Sequence, residues 1–149
     1  MRTLAIDLGT KRIGLAMSDE GGQWATPLEV LFVTDPKQAI EPIAALVAKE
    51  GVRRVVLGLP LNMDDSSIGG MAKSVIAWAA LLRPHIGTAQ IVYVDERLSS
   101  FDAEQTLIGI KRAGGKMTRK DKKQSLDAVA AAGFLQAFLD GKLAPLDVT

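Results

Sequence analysis

The 149-residue chain contains no cysteine, one histidine and one tyrosine. Without cysteine there is no disulfide framework, no thiolate zinc site and no cysteine nucleophile, which suits a reducing compartment. His85, the lone histidine, follows Pro84 and has no second ligand at metal-binding spacing, so it reads as structural or exposed. No apolar run approaches the ~20 residues of a membrane span. The opening MRTLAIDLGT places an aspartate and a glycine where a signal peptide needs an unbroken apolar core. P-loop and dinucleotide fingerprints, internal repeats and low-complexity tracts are also absent. These absences lead us to expect a soluble cytoplasmic protein that makes no contact with membrane.

With 48% hydrophobic residues, the chain can bury one sizeable core but not two, so a single domain over residues 1–140 with a short tail over 141–149 is expected. The formal net charge of +1 conceals an uneven distribution. Between Lys111 and Lys123 lie seven of the 18 basic residues (Lys111, Arg112, Lys116, Arg119, Lys120, Lys122 and Lys123) against one acid, Asp121. That stretch carries +6 and the remainder −5, so the protein is locally basic. Its GGKMTRKDKKQ core has little apolar content to pack. It reads as a mobile arm on phosphates, or more blandly as a solvated loop.

The pattern predicts strands over Leu4–Leu8 and Ile13–Ser18, joined by a tight hairpin at GTKR, and a third over Pro27–Thr34. Asp35, Pro36 and Gln38 form a capping-box start for a helix with apolar Ile40, Ile43, Leu46 and Val47, stopped by Gly51. RRVVLGLP reads as a buried strand, Met71 to Leu82 as a helix and QIVYV as a strand running into DER. A helix from Ser99 to about Arg112 and a last one containing SLDAVAAAGFLQAFL complete the order. A hairpin opening followed by βαβ crossovers implies an α/β fold with a mixed five-stranded sheet and helices on both faces. Trp78 belongs to a helical core stripe, and Trp24 is read as packing, with stacking on a base as its other use.

Acids stand at three places where packing alone would not put them: Asp7 inside the first strand, Asp95 and Glu96 at the end of a later one, and Asp127 in an apolar helix. Each has a plain explanation: Asp7 pairs with Lys11 or Arg12, DER is a surface corner, and Asp127 faces water. Taken together they point to carboxylates meeting at one sheet edge, which is stable only with bound cations or shared protons. Oxygen ligands in ones and twos suit Mg²⁺ or Mn²⁺, and two such ions about 4 Å apart serve phosphodiester hydrolysis. Ala130, Ala131, Ala132 and Gly133 would let the last helix come close enough for Asp127 to reach inward.

AIDLGTKRIGLA, VVLGLPLNMD, VDERLSS and SLDAVAA, in that order across about residues 2–139, resemble the motifs of the YqgF family, also called RuvX. Its members are assigned as Holliday junction resolvases and pre-16S rRNA nucleases. The resemblance implies an RNase H-like α/β/α fold and a metal-dependent nuclease, a hydrolase acting on ester bonds, with Asp7, Glu96 and Asp127 as catalytic and metal-binding acids. Adjacent strand residues point to opposite faces, so only one of Asp95 and Glu96 meets the metals, and the family resemblance selects Glu96. Lys11, Arg12 and Arg97, with Lys116, Arg119, Lys120, Lys122 and Lys123 of the basic stretch, are the candidate nucleic-acid contacts. One departure stands out: Asp65 occupies a position where family members typically have glycine, which puts the substrate contact of that loop in doubt.

The expected activity is processing of the 5′ end of pre-16S rRNA, with Holliday junction cleavage as the alternative and a weak homodimer as a partner state suited to the latter. A non-catalytic nucleic-acid-binding module is the rival of a different class. An actin-like or sugar-kinase fold shares a motif like AIDLGT but needs two lobes, and this chain supplies one.

Overall fold

The computed structural model describes residues 1–61, 68–96 and 119–148, the backbone alone for 119–125. Five strands, β1 (Thr3–Leu8), β2 (Arg12–Ser18), β3 (Ala25–Phe32), β4 (Arg54–Leu59) and β5 (Gln90–Asp95), form one sheet in the order β3-β2-β1-β4-β5. The first three pair antiparallel as a meander, and β1–β4 and β4–β5 pair parallel. This is the mixed sheet expected from a hairpin followed by crossovers.

Helices α1 (Ile40–Glu50) and α2 (Gly70–Leu82) cover one face, and α3 (Arg119–Leu139) covers the other. Strand alternation divides the side chains between the two. Leu4, Ile6, Ile13, Leu15, Val55 and Leu57 join the core under α1 and α2, whereas Ala5, Ala16, Val56 and Val94 meet Ala131, Phe134 and Leu135 of α3. The α3 face is built largely from small residues. Among the described residues, no helix is long and apolar enough to cross a membrane.

Local signals behave as their chemistry dictates. Asp35 caps the turn and Gln38 Oε1 accepts from the Asp35 N–H at 3.4 Å, so the capping box forms; Asp35 Oδ1 also accepts from the Lys37 N–H at 3.0 Å and Gln38 Oε1 from the Thr34 N–H at 2.9 Å. It opens a 3₁₀ turn over Pro36–Ala39, and α1 begins only at Ile40. Gly51 ends α1 at φ 64°, the left-handed geometry that glycine adopts without penalty. Trp78 anchors α2 by donating its indole N–H to the Pro36 carbonyl at 2.8 Å.

Three expectations need correction. β3 covers Ala25–Phe32 and not Pro27–Thr34, because pairing with β2 continues down to Ser18↔Ala25 and Thr34 is engaged by the Gln38 cap. Pro27 is tolerated there since β3 is an edge strand. Trp24 is 68% exposed, so it packs no core. The basic stretch is not an arm throughout: from Arg119 onward it forms the first turns of α3, where Lys, Arg and Gln are good helix formers. The expected helix from Ser99 to Arg112 and the loop at Asp64 and Asp65 lie outside the described residues. His85 is exposed.

α3 comes into backbone contact with the sheet at Gly14 of β2. A β-carbon there would collide with the carbonyl of Asp127 and the amide nitrogen of Ala128, so helix backbone rests directly on strand backbone. Gly14→Ala should therefore lower stability by about 3 kcal/mol or more, the upper end of overpacking costs. Gly51→Ala meets open space and should lose only about 1 kcal/mol through its backbone conformation. Urea denaturation of the two variants measures the contrast, and equal losses would contradict the packing argument.

Candidate active site

Asp7 lies on β1 two residues beyond Ala5 and therefore points to the α3 face. Its cross-strand partner on β2 is Gly14. On β4 its neighbour is Gly58, one step past the Ile6↔Leu57 pair. Each glycine leaves space that another acid uses. At Gly14 the space admits the backbone of α3 at Asp127. At Gly58 a β-carbon would sit 2.9 Å from Oε2 of Glu96 and 3.0 Å from the Phe134 ring. The three acids expected from the sequence thus come from β1, the end of β5 and α3 to the same end of the same face.

Alternation decides between the two neighbouring acids of DER. Val94 packs under α3, so Glu96 follows it to that face and Asp95 is turned toward the other, where it is buried. Glu96 hydrogen-bonds to Asp7, a contact between two carboxyl groups that requires a shared proton. Burial and the neighbouring charges of Glu96 and Asp127 push the Asp7 carboxyl up to about 7. Burial also raises Glu96, with the charge of Asp95 adding to it and the Asp7 hydrogen bond opposing. Asp127 is raised by burial and pulled back by Arg12.

Arg12 does not take the partner offered by the plain explanation of Asp7. Its Nε lies 3.2 Å from Oδ2 of Asp127, not beside Asp7. That oxygen is buried and accepts no hydrogen bond, so the guanidinium is close in charge without being aimed along an N–H. A cleft of about 660 Å³ opens at this ion pair, lined by Thr10, Lys11, Arg12, Phe32, Met71 and Asp127 among others. Gly9 also lines it, and there a β-carbon would strike the Arg12 carbonyl that the Gly9 N–H bonds at 3.0 Å, so only glycine closes this turn.

The remaining basic candidates are placed only in part. Arg119, Lys120, Lys122 and Lys123 occupy the first turns of α3, roughly 6–12 Å along the helix axis before Asp127. Arg97 and Lys116 lie outside the described residues. Among the described residues, no group of three or more His, Cys, Asp or Glu side chains stands ready-made around an ion. Asp7 and Glu96 share a proton, and Asp127 leans on Arg12. The donor set is nevertheless all oxygen, with one buried oxygen lacking a hydrogen bond, which is the chemistry a hard divalent cation takes.

The sequence did not expose the two glycines that flank Asp7. A single glycine in each of β2 and β4 is invisible as a site signal until strand register places both beside the same aspartate. The register itself was the missing information.

Because the Asp7 carboxyl binds its proton more tightly folded than unfolded, its contribution to stability is complete below about pH 4 and is lost as pH rises through about 7. The loss amounts to at most about 4 kcal/mol. In EDTA, Asp7→Asn should therefore be more stable than wild type at about pH 8, with the advantage shrinking toward about pH 5. Denaturation midpoints at the two pH values check this, and a difference independent of pH would refute it.

A protein from Opitutus terrae, provisionally named a pre-16S rRNA nuclease, is 42% identical over 147 residues, covering 97% of this chain and 95% of its own. Another with that name from Halalkalibacterium halodurans is 41% identical over 142 residues, covering 94% and 96%. Among solved structures, Thermus thermophilus RuvC in complex with a Holliday junction substrate superposes with a TM-score of 0.62 at 16% identity, covering 98% of this chain and 100% of that one. The Fowlpox virus resolvase bound to Holliday junction DNA gives 0.56 at 12%, covering 95% and 98%. These two establish the shared RNase H-like fold. The family model described as RuvX, Holliday junction resolvase, matches residues 1–141, and with relatives of this identity over nearly the full length the chain belongs to the RuvX family.

Proposed function

We propose that this chain is a divalent-metal-dependent nuclease that hydrolyses phosphodiester bonds in pre-16S rRNA, acting at the 5′ end as a soluble cytoplasmic enzyme whose single catalytic domain spans residues 1–140. The observation that carries the reading is the meeting of Asp7, Glu96 and Asp127 at one end of the α3 face, where a proton and Arg12 offset their mutual repulsion. The names of the relatives in Opitutus terrae and Halalkalibacterium halodurans supply the substrate.

In this reading Asp7, Glu96 and Asp127 are the catalytic acids and hold Mg²⁺ or Mn²⁺. Two such cations, when bound, activate water toward phosphorus and stabilise the departing oxygen. The protein's own part is to prepare oxygens in fixed positions. Asp7 and Glu96 release their shared proton, which becomes favourable once positive charge arrives. Asp127 would hold a cation through the buried Oδ2, which accepts no hydrogen bond and is only loosely paired with Arg12. Gly14 and Gly58 fix the spacing by letting helix and carboxylate come close to Asp7. Lys11, Arg12, Arg97, Lys116, Arg119, Lys120, Lys122 and Lys123 hold phosphates of the strand on either side, an attraction that weakens with salt.

Junction cleavage is the second reading, favoured by the fold shared with RuvC and by the family's description. Both substrates offered in parallel with Mg²⁺ or Mn²⁺ decide between them. The expected result is cut precursor rRNA, an intact synthetic four-way junction, and loss of cleavage by at least about a hundredfold in Asp7→Asn with binding retained. Junction cutting alone selects the alternative, and cleavage of neither makes the chain a binding module.

A further inference from the structure

We infer that Phe32 and Arg12 form a base-stacking subsite for an unpaired nucleotide flanking the scissile phosphate, so that the site takes single-stranded rather than duplex nucleic acid. This deepens the nuclease reading and rests on it. Phe32 is the last residue of β3 and pairs directly across the ladder with Arg12. Opposed residues of an antiparallel pair stand on the same face with β-carbons about 5 Å apart. Arg12 reaches Asp127 of α3, so that face is the one carrying the acids. Leu31 and Val33, on either side, pack into the opposite core, which confirms the alternation.

Phe32 nonetheless has 62% of its surface in water, although a large aromatic at a strand end gains by burial. It forms a wall of the cleft that Lys11, Arg12 and Asp127 also line, and the volume of about 660 Å³ falls within the ~300–1,000 Å³ typical of ligand clefts. β3 lies two strand spacings from β1, and Phe32 lies two residues along from the Asp7↔Gly14 pair, which puts the Phe32 backbone about 12 Å from that of Asp7, while Asp127 lines the same cleft. That is within the span of a dinucleotide. A base laid on the ring would leave its phosphates beside Lys11 and Arg12, pairing an aromatic face with flanking cations as single-strand sites do. A paired base keeps its faces covered by its neighbours and cannot use the ring.

The test is equilibrium binding by the full chain carrying Asp7→Asn, which prevents cleavage, to a labelled single-stranded RNA and to the blunt duplex of the same sequence in Mg²⁺. Adding Phe32→Ala should weaken single-strand binding by about tenfold and duplex binding by less than about twofold, with Phe32→Tyr restoring the former. A 2-aminopurine placed in the single strand should be quenched with Phe32 or Tyr present and not with Ala. Lys11→Ala should weaken both ligands alike. Equal losses on both ligands, no loss on either, or failure of Tyr to rescue would overturn the subsite while leaving the nuclease reading standing. No binding of either ligand by the Asp7→Asn chain or by wild type would overturn both.

Discussion

Everything at this site depends on a helix backbone lying directly on a strand backbone. The contact between α3 and Gly14 is closer than any side chain permits, and it is what carries a short aspartate side chain to the row occupied by Asp7. A longer acid on a more distant helix would reach the same place only by ordering several more rotatable bonds, at a cost in side-chain entropy. The small residues of the α3 face, Ala5, Ala16, Ala131 and Ala132, extend this closeness along the helix. Gln136 secures its far end by accepting from the Ala25 N–H at 2.9 Å and donating to the Gln23 carbonyl at 2.9 Å. The helix is thus held to the edge strand at one end and seated on Gly14 toward the other.

The two faces of the sheet divide the work. Under α1 and α2 lie the large aliphatic side chains, Leu4, Ile6, Leu15, Ile43, Leu57 and Leu82, each fully buried. Such a core stabilises in proportion to the apolar area it removes from water. Beneath α3 the side chains are shorter, and the face ends in acids whose burial costs free energy. The stable face therefore offsets the expensive one, and the division follows from period-two alternation along β1: Leu4 and Ile6 go one way, Ala5 and Asp7 the other.

Much of this was legible in the sequence because it rests on local signals. Strand patterning, the Asp35–Gln38 box and the Gly51 stop each act within a few residues, and they appear where expected. Asp7 and Asp127 were conspicuous because charge in an apolar segment demands a reason. What could not be read depends on pairing between distant segments. The irregularity at Leu28 of β3, opposite the Leu15–Ala16 step of β2, and the resulting extent of β3 are set by register, as are the roles of Gly14 and Gly58. Trp24 misled because a large aromatic is usually buried, whereas here it stands at the entry of an edge strand with no layer beyond it. The basic stretch misled because composition marks solubility and not backbone state; lysine and arginine continue a helix well once a packed segment such as residues 128–137 anchors it.

The partner of Arg12 ties the electrostatics to the geometry. Sequence spacing makes Asp7 its natural partner, five residues away across a tight turn, yet the guanidinium goes to Asp127. Arg12 stands on β2 two residues from Gly14 and so on the same face, beside the point where Asp127 and Ala128 of α3 meet Gly14. Asp7 sits one strand further in and must take Glu96 and a proton instead. The outer acid is consequently cation-paired, with Arg12 opposing the rise that burial causes, while the inner pair shares a proton. Burial is the largest cause of the shift at each of the three carboxyls; neighbouring acids add to it at Asp7, and Arg12 opposes it at Asp127. Of the three acids, Asp127 lines the cleft with Arg12 beside it, and Asp7 and Glu96 lie behind that lining.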